Sequence, residues 1–286
     1  MRVFDSHIHM TSRTTDDYRA MADAGVRALV EPAFWLGQPR TSPDTFLDYF
    51  DSLLGWEPYR AAQFGIAHFC ALAVNPKEAN DSRCASVLDA LPRYLEKDRV
   101  VAVGEVGLDS GTSAEEQVMA RQLRLAREHG LPVVIHTPHR DKTGGTKRIL
   151  DLVSESGIDP GMVVVDHLNE LTVAEVRASG CWTGFTIYPD TKMDPVRMAI
   201  VAEEYGTERM LVNSAADWGI SDPLATVRTW EALRAAGFGE EAVQGLFWDN
   251  PVAFYGQSGR LQLDEESTAE LGADAFDGNT ILRGEK

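Results

Sequence analysis

The chain has 286 residues, 44% of them hydrophobic, which is enough for a sizeable core and fits one α/β barrel of about 250 residues. Its formal net charge of −17 argues against a basic surface for duplex nucleic acid and against a polybasic membrane contact, although a site that holds cations can still be locally positive. Its three cysteines are scattered and form no CxxC pair, which argues against a disulfide framework or a zinc knot.

Short apolar runs alternate with longer amphipathic stretches along most of the chain. We predict strands at Val3–Ile8, Ala28–Pro32, Ile66–Val74, Val100–Glu105, Val133–His136, Met162–Asp166, Trp182–Thr186 and Met210–Asn213. We predict helices at Asp16–Ala24, Pro43–Phe64, Ala85–Lys97, Ala114–His129, Gly145–Ser156, Thr172–Ala178, Pro195–Tyr205 and Ser221–Ala236. Several strands are continuously apolar rather than alternating, as expected for a parallel sheet that helices cover.

Strict alternation of strands and helices predicts an α/β fold, a (β/α)8 TIM barrel, with an open doubly wound sheet as the alternative. We place the barrel domain at residues 1–255 and a short C-terminal extension, an acidic tail, at residues 256–286. No apolar run approaches transmembrane length and no signal peptide is evident. These features predict a cytoplasmic protein without a membrane partner, and they leave a homo-oligomer open.

Four of the seven histidines lie where predicted strands end. His7 and His9 close the first strand, and residues two apart in an extended segment point to the same side. His136 ends the fifth strand and His167 follows the sixth. An isolated His-x-His pair is as often coincidence as a metal site. Four histidines at corresponding positions favour the metal site.

Two acidic residues occupy similar positions. Glu105 ends the fourth strand and Asp217 follows the eighth. Because the C-terminal ends of barrel strands converge on one mouth, we expect these groups to meet the four histidines there. Imidazole and carboxylate together suit one or two divalent ions of zinc, manganese, iron or nickel, without choosing between them. A carboxylate such as that of Glu105 can bridge two cations, which would lower the pKa of a shared water.

The segments Phe4-Asp5-Ser6-His7-Ile8-His9 and Gly104-Glu105-Val106-Gly107-Leu108-Asp109 resemble the TatD-like metal-dependent hydrolases of the amidohydrolase superfamily. The resemblance covers about the first 255 residues, and the Gly-Glu-Val-Gly-Leu-Asp segment is its most specific part. Within that family, the TatD-like members of Ebo-type biosynthetic gene clusters are one candidate subgroup for this chain.

The resemblance implies a role for each residue of the pattern. His7 and His9 would bind one ion, Glu105 would bridge, and His136 and His167 would complete the shell of a second ion. Asp217 would bind metal and take the proton of the attacking water.

The chain also departs from the family pattern. A Glu-Thr-Asp-x-Pro segment is usual after the eighth strand, whereas this chain has Asn213-Ser214-Ala215-Ala216-Asp217-Trp218, so its aspartate comes two residues late. After the fifth-strand histidine, the usual arginine two positions on is replaced by Pro138. The pocket should therefore be reshaped. Weaker candidates for substrate contact are His139, Arg140, Glu31 and Trp218.

We therefore expect a divalent-metal-dependent hydrolase that uses an activated water on a small ester, amide or phosphoester. The alternatives are a TatD-type deoxyribonuclease, a metal-dependent lyase or isomerase acting on a sugar-like or cyclitol substrate, and a non-catalytic metal-binding or scaffold protein. The charge balance makes nucleic acid an unfavoured partner and a small molecule the favoured one.

Overall fold

A computed structural model describes residues 1–263, and the predicted tail beyond Leu263 lies outside the described residues. Eight parallel strands stand in the order β1-β2-β3-β4-β5-β6-β7-β8. They span Val3–Asp5, Val26–Pro32, Ala67–Ala71, Val100–Gly107, Val133–His136, Val163–Asp166, Trp182–Thr186 and Met210–Asn213. The open edges approach one another beyond the strand ends, where the His7 carbonyl accepts from Ala215 N at 2.8 Å and His9 N donates to the Ala216 carbonyl at 2.9 Å. The predicted TIM barrel is confirmed.

Helices connect the strands and surround them. They are α1 to α11 at Thr15–Asp23, Asp44–Asp51, Glu57–Ala62, Cys84–Leu95, Ser113–His129, Lys142–Ser156, Val173–Ser179, Pro195–Tyr205, Ala225–Ala235, Glu240–Gln244 and Asn250–Gly256. The helix predicted at Pro43–Phe64 is a run in which a π-turn at Ser52–Trp56 separates α2 from α3. Short 3₁₀ turns at Met10–Ser12 and Pro76–Glu78, a π-turn at Gly245–Asp249, and α10 were not predicted. A third 3₁₀ turn spans Pro160–Met162.

The first strand is shorter than predicted. It ends at Asp5, whose Oδ1 accepts a hydrogen bond from His7 N at 3.2 Å and so turns the chain away from the sheet. His7 and His9 therefore lie in the loop after β1, and it is the turn that brings their imidazoles together. The two rings lie together as expected, but the prediction that an extended strand aligns them was wrong.

Apolar side chains fill both sides of the strand cylinder. In β2, Leu29 packs in the layer between strands and helices, whereas Ala28 and Val30 belong to the cluster inside the barrel. This explains the continuous apolar runs, because both faces of each strand are buried.

The C-terminal helix closes the end of the barrel opposite the strand C-termini. Phe254 of α11 packs against Trp182 at 5.4 Å between ring centroids, and Tyr255 stacks on Phe4 at 6.0 Å. Tyr255 also donates its hydroxyl to the Ser6 carbonyl at 2.6 Å. Residues 259–263 form no strand, but Leu263 packs against the same interior cluster. The helix thus holds β1 in place beneath the histidine loop.

No helix in residues 1–263 combines the length and the hydrophobicity needed to cross a membrane.

We predict that Tyr255→Phe lowers the free energy of unfolding by about 1–2 kcal/mol, since it leaves the buried Ser6 carbonyl without its donor. Urea denaturation measures the change. Tyr205→Phe removes a hydroxyl at the surface of α8 and should shift the same quantity by less than about 0.5 kcal/mol. Equal effects of the two substitutions would contradict the role given to Tyr255.

Candidate metal centre

Four histidines and a glutamate lie together at the mouth formed by the C-terminal ends of the strands. His7 and His9 follow β1, Glu105 lies in β4, His136 ends β5 and His167 follows β6. Each of these residues is at most 5% exposed. Their ligating atoms form two groups in which all atoms lie within 4.8 Å of one another, namely His7, His9 and Glu105, and Glu105, His136 and His167. The structure therefore brings together every predicted metal ligand except Asp217.

The imidazoles of His7 and His9 face each other through their Nε2 atoms, which are 3.0 Å apart. His7 Nδ1 is engaged by Asp166 Oδ2 at 2.7 Å, so only Nε2 of that ring is available to a ligand. Two nitrogen lone pairs cannot face each other at this distance, so either a proton or a metal cation must lie between them. Burial by itself lowers the pKa of His7, but the charges of Glu105 and Asp166 raise it above its ordinary value. The site therefore attracts positive charge.

Glu105 lies between the two groups. Its Oε1 is 3.1 Å from His136 Nδ1, 3.0 Å from His167 Nε2 and 3.8 Å from His7 Nε2. Its Oε2 accepts a hydrogen bond from Asn75 Nδ2 at 2.9 Å. Although burial raises the pKa of Glu105, the neighbouring histidines hold it well below its usual range. The side chain is thus a carboxylate that can contribute an oxygen to either group.

A hydrogen-bond network fixes the ring of His167. Asn213 Nδ2 donates to both oxygens of Asp166 at 3.0 Å, so Asn213 Oδ1 must accept the hydroxyl proton of Thr186, 2.8 Å away. Thr186 Oγ1 then accepts from His167 Nδ1 at 2.6 Å. His167 Nε2 consequently presents a lone pair to the carboxylate of Glu105, and two acceptors 3.0 Å apart again require a cation or a proton.

Burial, together with the ammonium of Lys192, holds the pKa of His167 well below its ordinary value. The proton is therefore the disfavoured choice for His167, and the neutral ring is the form that binds metal. The residues present fit a divalent cation, because both groups combine neutral imidazole with carboxylate.

The prediction that Asp217 is a metal ligand is not supported by the geometry. Among the described residues Asp217 belongs to none of the groups able to hold an ion. Its Oδ1 accepts from the Tyr188 hydroxyl and from Gly219 N, each at 2.8 Å, and these bonds hold it at the side of the pocket. The position two residues earlier, where the resemblance expects an aspartate, is Ala215, which lines the pocket with a φ of 39°.

The cluster lies in a pocket of about 600 Å³. Of the residues predicted to contact substrate, His139 and Trp218 line this pocket, and Glu31 and Arg140 do not. Glu31 is fully buried, where its Oε2 lies 2.9 Å from His68 Nε2. Its Oε1 accepts from Thr11 N at 2.8 Å, so the carboxylate supports the loops behind the site. Arg140 is exposed outside the pocket.

Sequence reasoning missed Lys192, which follows β7. Its ammonium lies against the ring of His167, 3.1 Å from Nδ1 and 3.5 Å from Nε2. It also missed Lys77, Tyr188 and Phe34, which line the same pocket. Their position in loops after strands was the only available signal, and loops carry no periodicity that points a side chain inward.

The model of the TatD related DNase family matches residues 4–218. A curated relative, an uncharacterised metal-dependent hydrolase of Methanocaldococcus jannaschii, is 28% identical over 255 residues, covering 88% of this chain and 99% of that protein. Among solved structures, a TatD-like protein from Archaeoglobus fulgidus has a TM-score of 0.74 and 26% identity over 88% of this chain and 99% of its own. The phosphotriesterase homology protein from Escherichia coli, at 16% identity, shares the fold with a TM-score of 0.65 and covers 89% of this chain and 98% of its own.

We predict that zinc, manganese, iron(II) or nickel raises the melting temperature of metal-stripped protein. An ion that binds only the folded state, at 100 times its Kd, stabilises it by about 2.7 kcal/mol. His9→Asn and His136→Asn should weaken this shift, because each removes one ligand of a group. His129→Asn, at the end of α5, is the control that should leave it unchanged. A shift of equal size in all three variants would show that the ion binds elsewhere.

We predict that Asn213→Ala reduces metal affinity by about 10–100-fold without touching a ligand, since it removes the donor that orients Asp166. Asn213→Asp should weaken metal binding further, because a carboxylate placed against Asp166 repels it and cannot donate. Competition with a fluorescent chelator measures both affinities. Wild-type affinity in Asn213→Asp would show that the Asp166 contact is not needed.

Proposed function

The chain belongs to the TatD related DNase family and is a metal-dependent hydrolase, and from that premise we propose that it cleaves a small ester, amide or phosphoester. The observation that carries the proposal is the cluster of buried imidazoles around one carboxylate, at the floor of a compact pocket in the barrel mouth. Barrel enzymes place their chemistry at this end of the strands.

We propose that His7, His9 and Glu105 would hold one divalent ion, and that His136 and His167 would hold a second together with Glu105. Zinc, manganese, iron and nickel all suit this donor set. Such an ion, when bound, polarises the scissile bond and lowers the pKa of the attacking water.

Asp217 is the proposed proton acceptor, now without a role as metal ligand. It lines the pocket, and its Oδ1 is fixed by Tyr188 and Gly219. A β-carbon at Gly219 would lie 2.3 Å from the Tyr188 hydroxyl oxygen, so glycine is required for this arrangement. Burial and the charge of Asp217 raise the pKa of Tyr188 to about 12, which keeps its hydroxyl protonated as a donor.

The charges around the mouth favour a small substrate over duplex DNA. Lys142, at the start of α6, donates to the Thr137 and His167 carbonyls at 3.2 and 3.0 Å. It is therefore engaged within the protein. Tight duplex binding needs several cationic side chains along the phosphate backbone, and the chain carries a net charge of −17.

The test combines elemental analysis of the purified protein with turnover of small esters, amides, lactones and phosphoesters. Single-stranded and duplex DNA are compared at physiological salt. We expect the best small substrate to exceed either DNA in kcat/KM. Efficient, salt-resistant DNA cleavage without small-molecule turnover would instead identify a deoxyribonuclease. Oxygen-18 from solvent should enter the product, and its absence would identify a lyase or isomerase.

Membership of the Ebo-type subgroup, a cytoplasmic location and a homo-oligomeric state stay predictions.

We predict that Asp217→Asn lowers kcat by about two orders of magnitude or more, the scale of general-base loss. The amide oxygen still accepts from Tyr188 and Gly219, so the pocket wall should keep its shape. Metal content should not change, because Asp217 belongs to neither ligand group. Steady-state kinetics measures kcat, and elemental analysis of the same preparation measures the metal content.

Glu105→Gln provides the contrast, since it should lose metal and activity together. Asp222→Asn, outside the pocket, should alter neither. Near-normal turnover in Asp217→Asn would show that another group takes the proton, and loss of metal would restore Asp217 as a ligand.

A further inference from the structure

Three aromatic side chains form one wall of the pocket beside the histidine cluster. Phe34 and Trp35 follow β2, and Trp218 follows β8. The ring of Trp218 lies 4.9 Å from that of Phe34 and 5.7 Å from that of Trp35, measured between centroids. Phe34 in turn stacks on the imidazole of His9, with an interplanar angle of 19° and 3.9 Å between centroids. The aromatic wall therefore begins at the cluster and continues toward solvent.

Packing within the barrel does not explain this wall. Trp218 is 48% exposed, whereas the large rings of the core, such as that of Phe4, are completely buried. The loop after β2 fits beneath Trp218, because a β-carbon on Gly37 would lie 3.3 Å from its ring. The indole is thus held in position although 48% of the residue is exposed, as expected of a surface that a planar group covers.

Two ammonium groups line the same pocket. Among residues 1–263, Lys192 has no carboxylate oxygen within the 4.0 Å of an ion pair, and its contacts are with His167 and the ring of Tyr188, 5.5 Å away. Lys77 lies over the ring of Trp35 at 5.3 Å and pairs with Asp109 at 3.1 Å. A partly buried ammonium without a counterion is costly in an interior, and a ligand anion would supply the missing charge.

We propose that the pocket binds a substrate in which a planar aromatic ring carries a carboxylate or phosphate-type anion. The ring lies against Trp218 and Phe34, and the anion contacts Lys192. The volume of about 600 Å³ accommodates a molecule of this size. This inference rests on the proposed function, since it assigns the substrate class of the same site.

The test is calorimetric binding to the metal-loaded protein, which does not depend on turnover. The probes are benzoate and phenylphosphonate as aromatic anions, cyclohexanecarboxylate and methylphosphonate as anions without an aromatic ring, and benzamide as an uncharged ring. We expect at least one aromatic anion to bind about 10-fold more tightly than every comparator. Comparison of benzoate with phenylphosphonate identifies the anion. Equal affinity for ring and non-ring anions, or for benzamide, would overturn the proposal.

Variants distinguish the contributions of the aromatic wall and of the Lys192 ammonium to binding from that of direct contact between the anion and the metal. Trp218→Ala should weaken binding of the aromatic anion about 10-fold and leave the affinity for methylphosphonate unchanged. Lys192→Met should weaken the binding of both anions and leave the affinity for benzamide unchanged. Lys192→Arg should restore most of the affinity for the anions. Trp56→Ala, which removes a 50% exposed indole outside the pocket, and Lys147→Met on α6 are the matched controls. Metal content is measured in each variant.

Unchanged binding in both Trp218→Ala and Lys192→Met would show that the metal alone holds the probes, and the inference would fail. Tight, variant-sensitive binding of an aromatic anion supports the inference even if no ester, amide or phosphoester is turned over. In that case the proposed hydrolysis of small substrates fails while the binding site stands.

Discussion

The carboxylate of Asp166 organises the mouth of this barrel. It engages His7 Nδ1 at 2.7 Å and accepts from the backbone of His167 at 2.7 Å, so one buried group positions histidines that follow two different strands. Burial opposes its ionisation, but the contacts with His167 and His7 hold the pKa of Asp166 below its ordinary value. A charged Asp166 leaves His7 only Nε2 for a ligand, and through Asn213 and Thr186 the same network assigns the tautomer of His167. Orientation of metal-binding imidazoles by a second layer of groups is a general requirement of such sites.

The close packing of the sheet makes this network rigid. Gly184 in β7 lies directly beside Asp166, and a β-carbon at this glycine would be 2.6 Å from Asp166 Oδ1. His167 adopts a φ of 60°, a conformation that few non-glycine residues take and that the surrounding contacts must maintain. On the opposite side of the barrel the last helix fills the interior with Phe254 and Tyr255. The strands are thereby held from below while the loops above them carry the chemistry.

The pocket contains ammonium groups although the protein as a whole is strongly acidic. The chain has 44 acidic and 27 basic residues, yet the groups nearest the cluster include the ammonium of Lys192. The same ammonium helps to hold His167 in the neutral form, and it is placed to receive an anion. One side chain from the loop after β7 therefore favours the neutral form of His167 and carries the anion contact that we propose.

The amino-acid sequence by itself determined the barrel and the cluster of four histidines with Glu105. Alternating apolar and amphipathic segments predict a parallel barrel, and polar residues at strand ends must then converge, since parallel strands all point to the same mouth. Glu105 and His136 could be assigned because each lies in a strand whose direction is set by the fold.

Only the tertiary structure decided which contacts Asp217, Asn213 and Lys192 make. These side chains are oriented by contacts between loops distant in sequence, such as that of Tyr188 with Asp217, and no local period records such contacts. Asn213 ends β8, but its value lies in a hydrogen bond to Asp166 across the sheet, 47 residues away. The positions of residues in strands follow a regular repeat that is visible in the sequence. The positions of residues in loops depend on contacts between particular atoms, and these contacts form only when the chain folds.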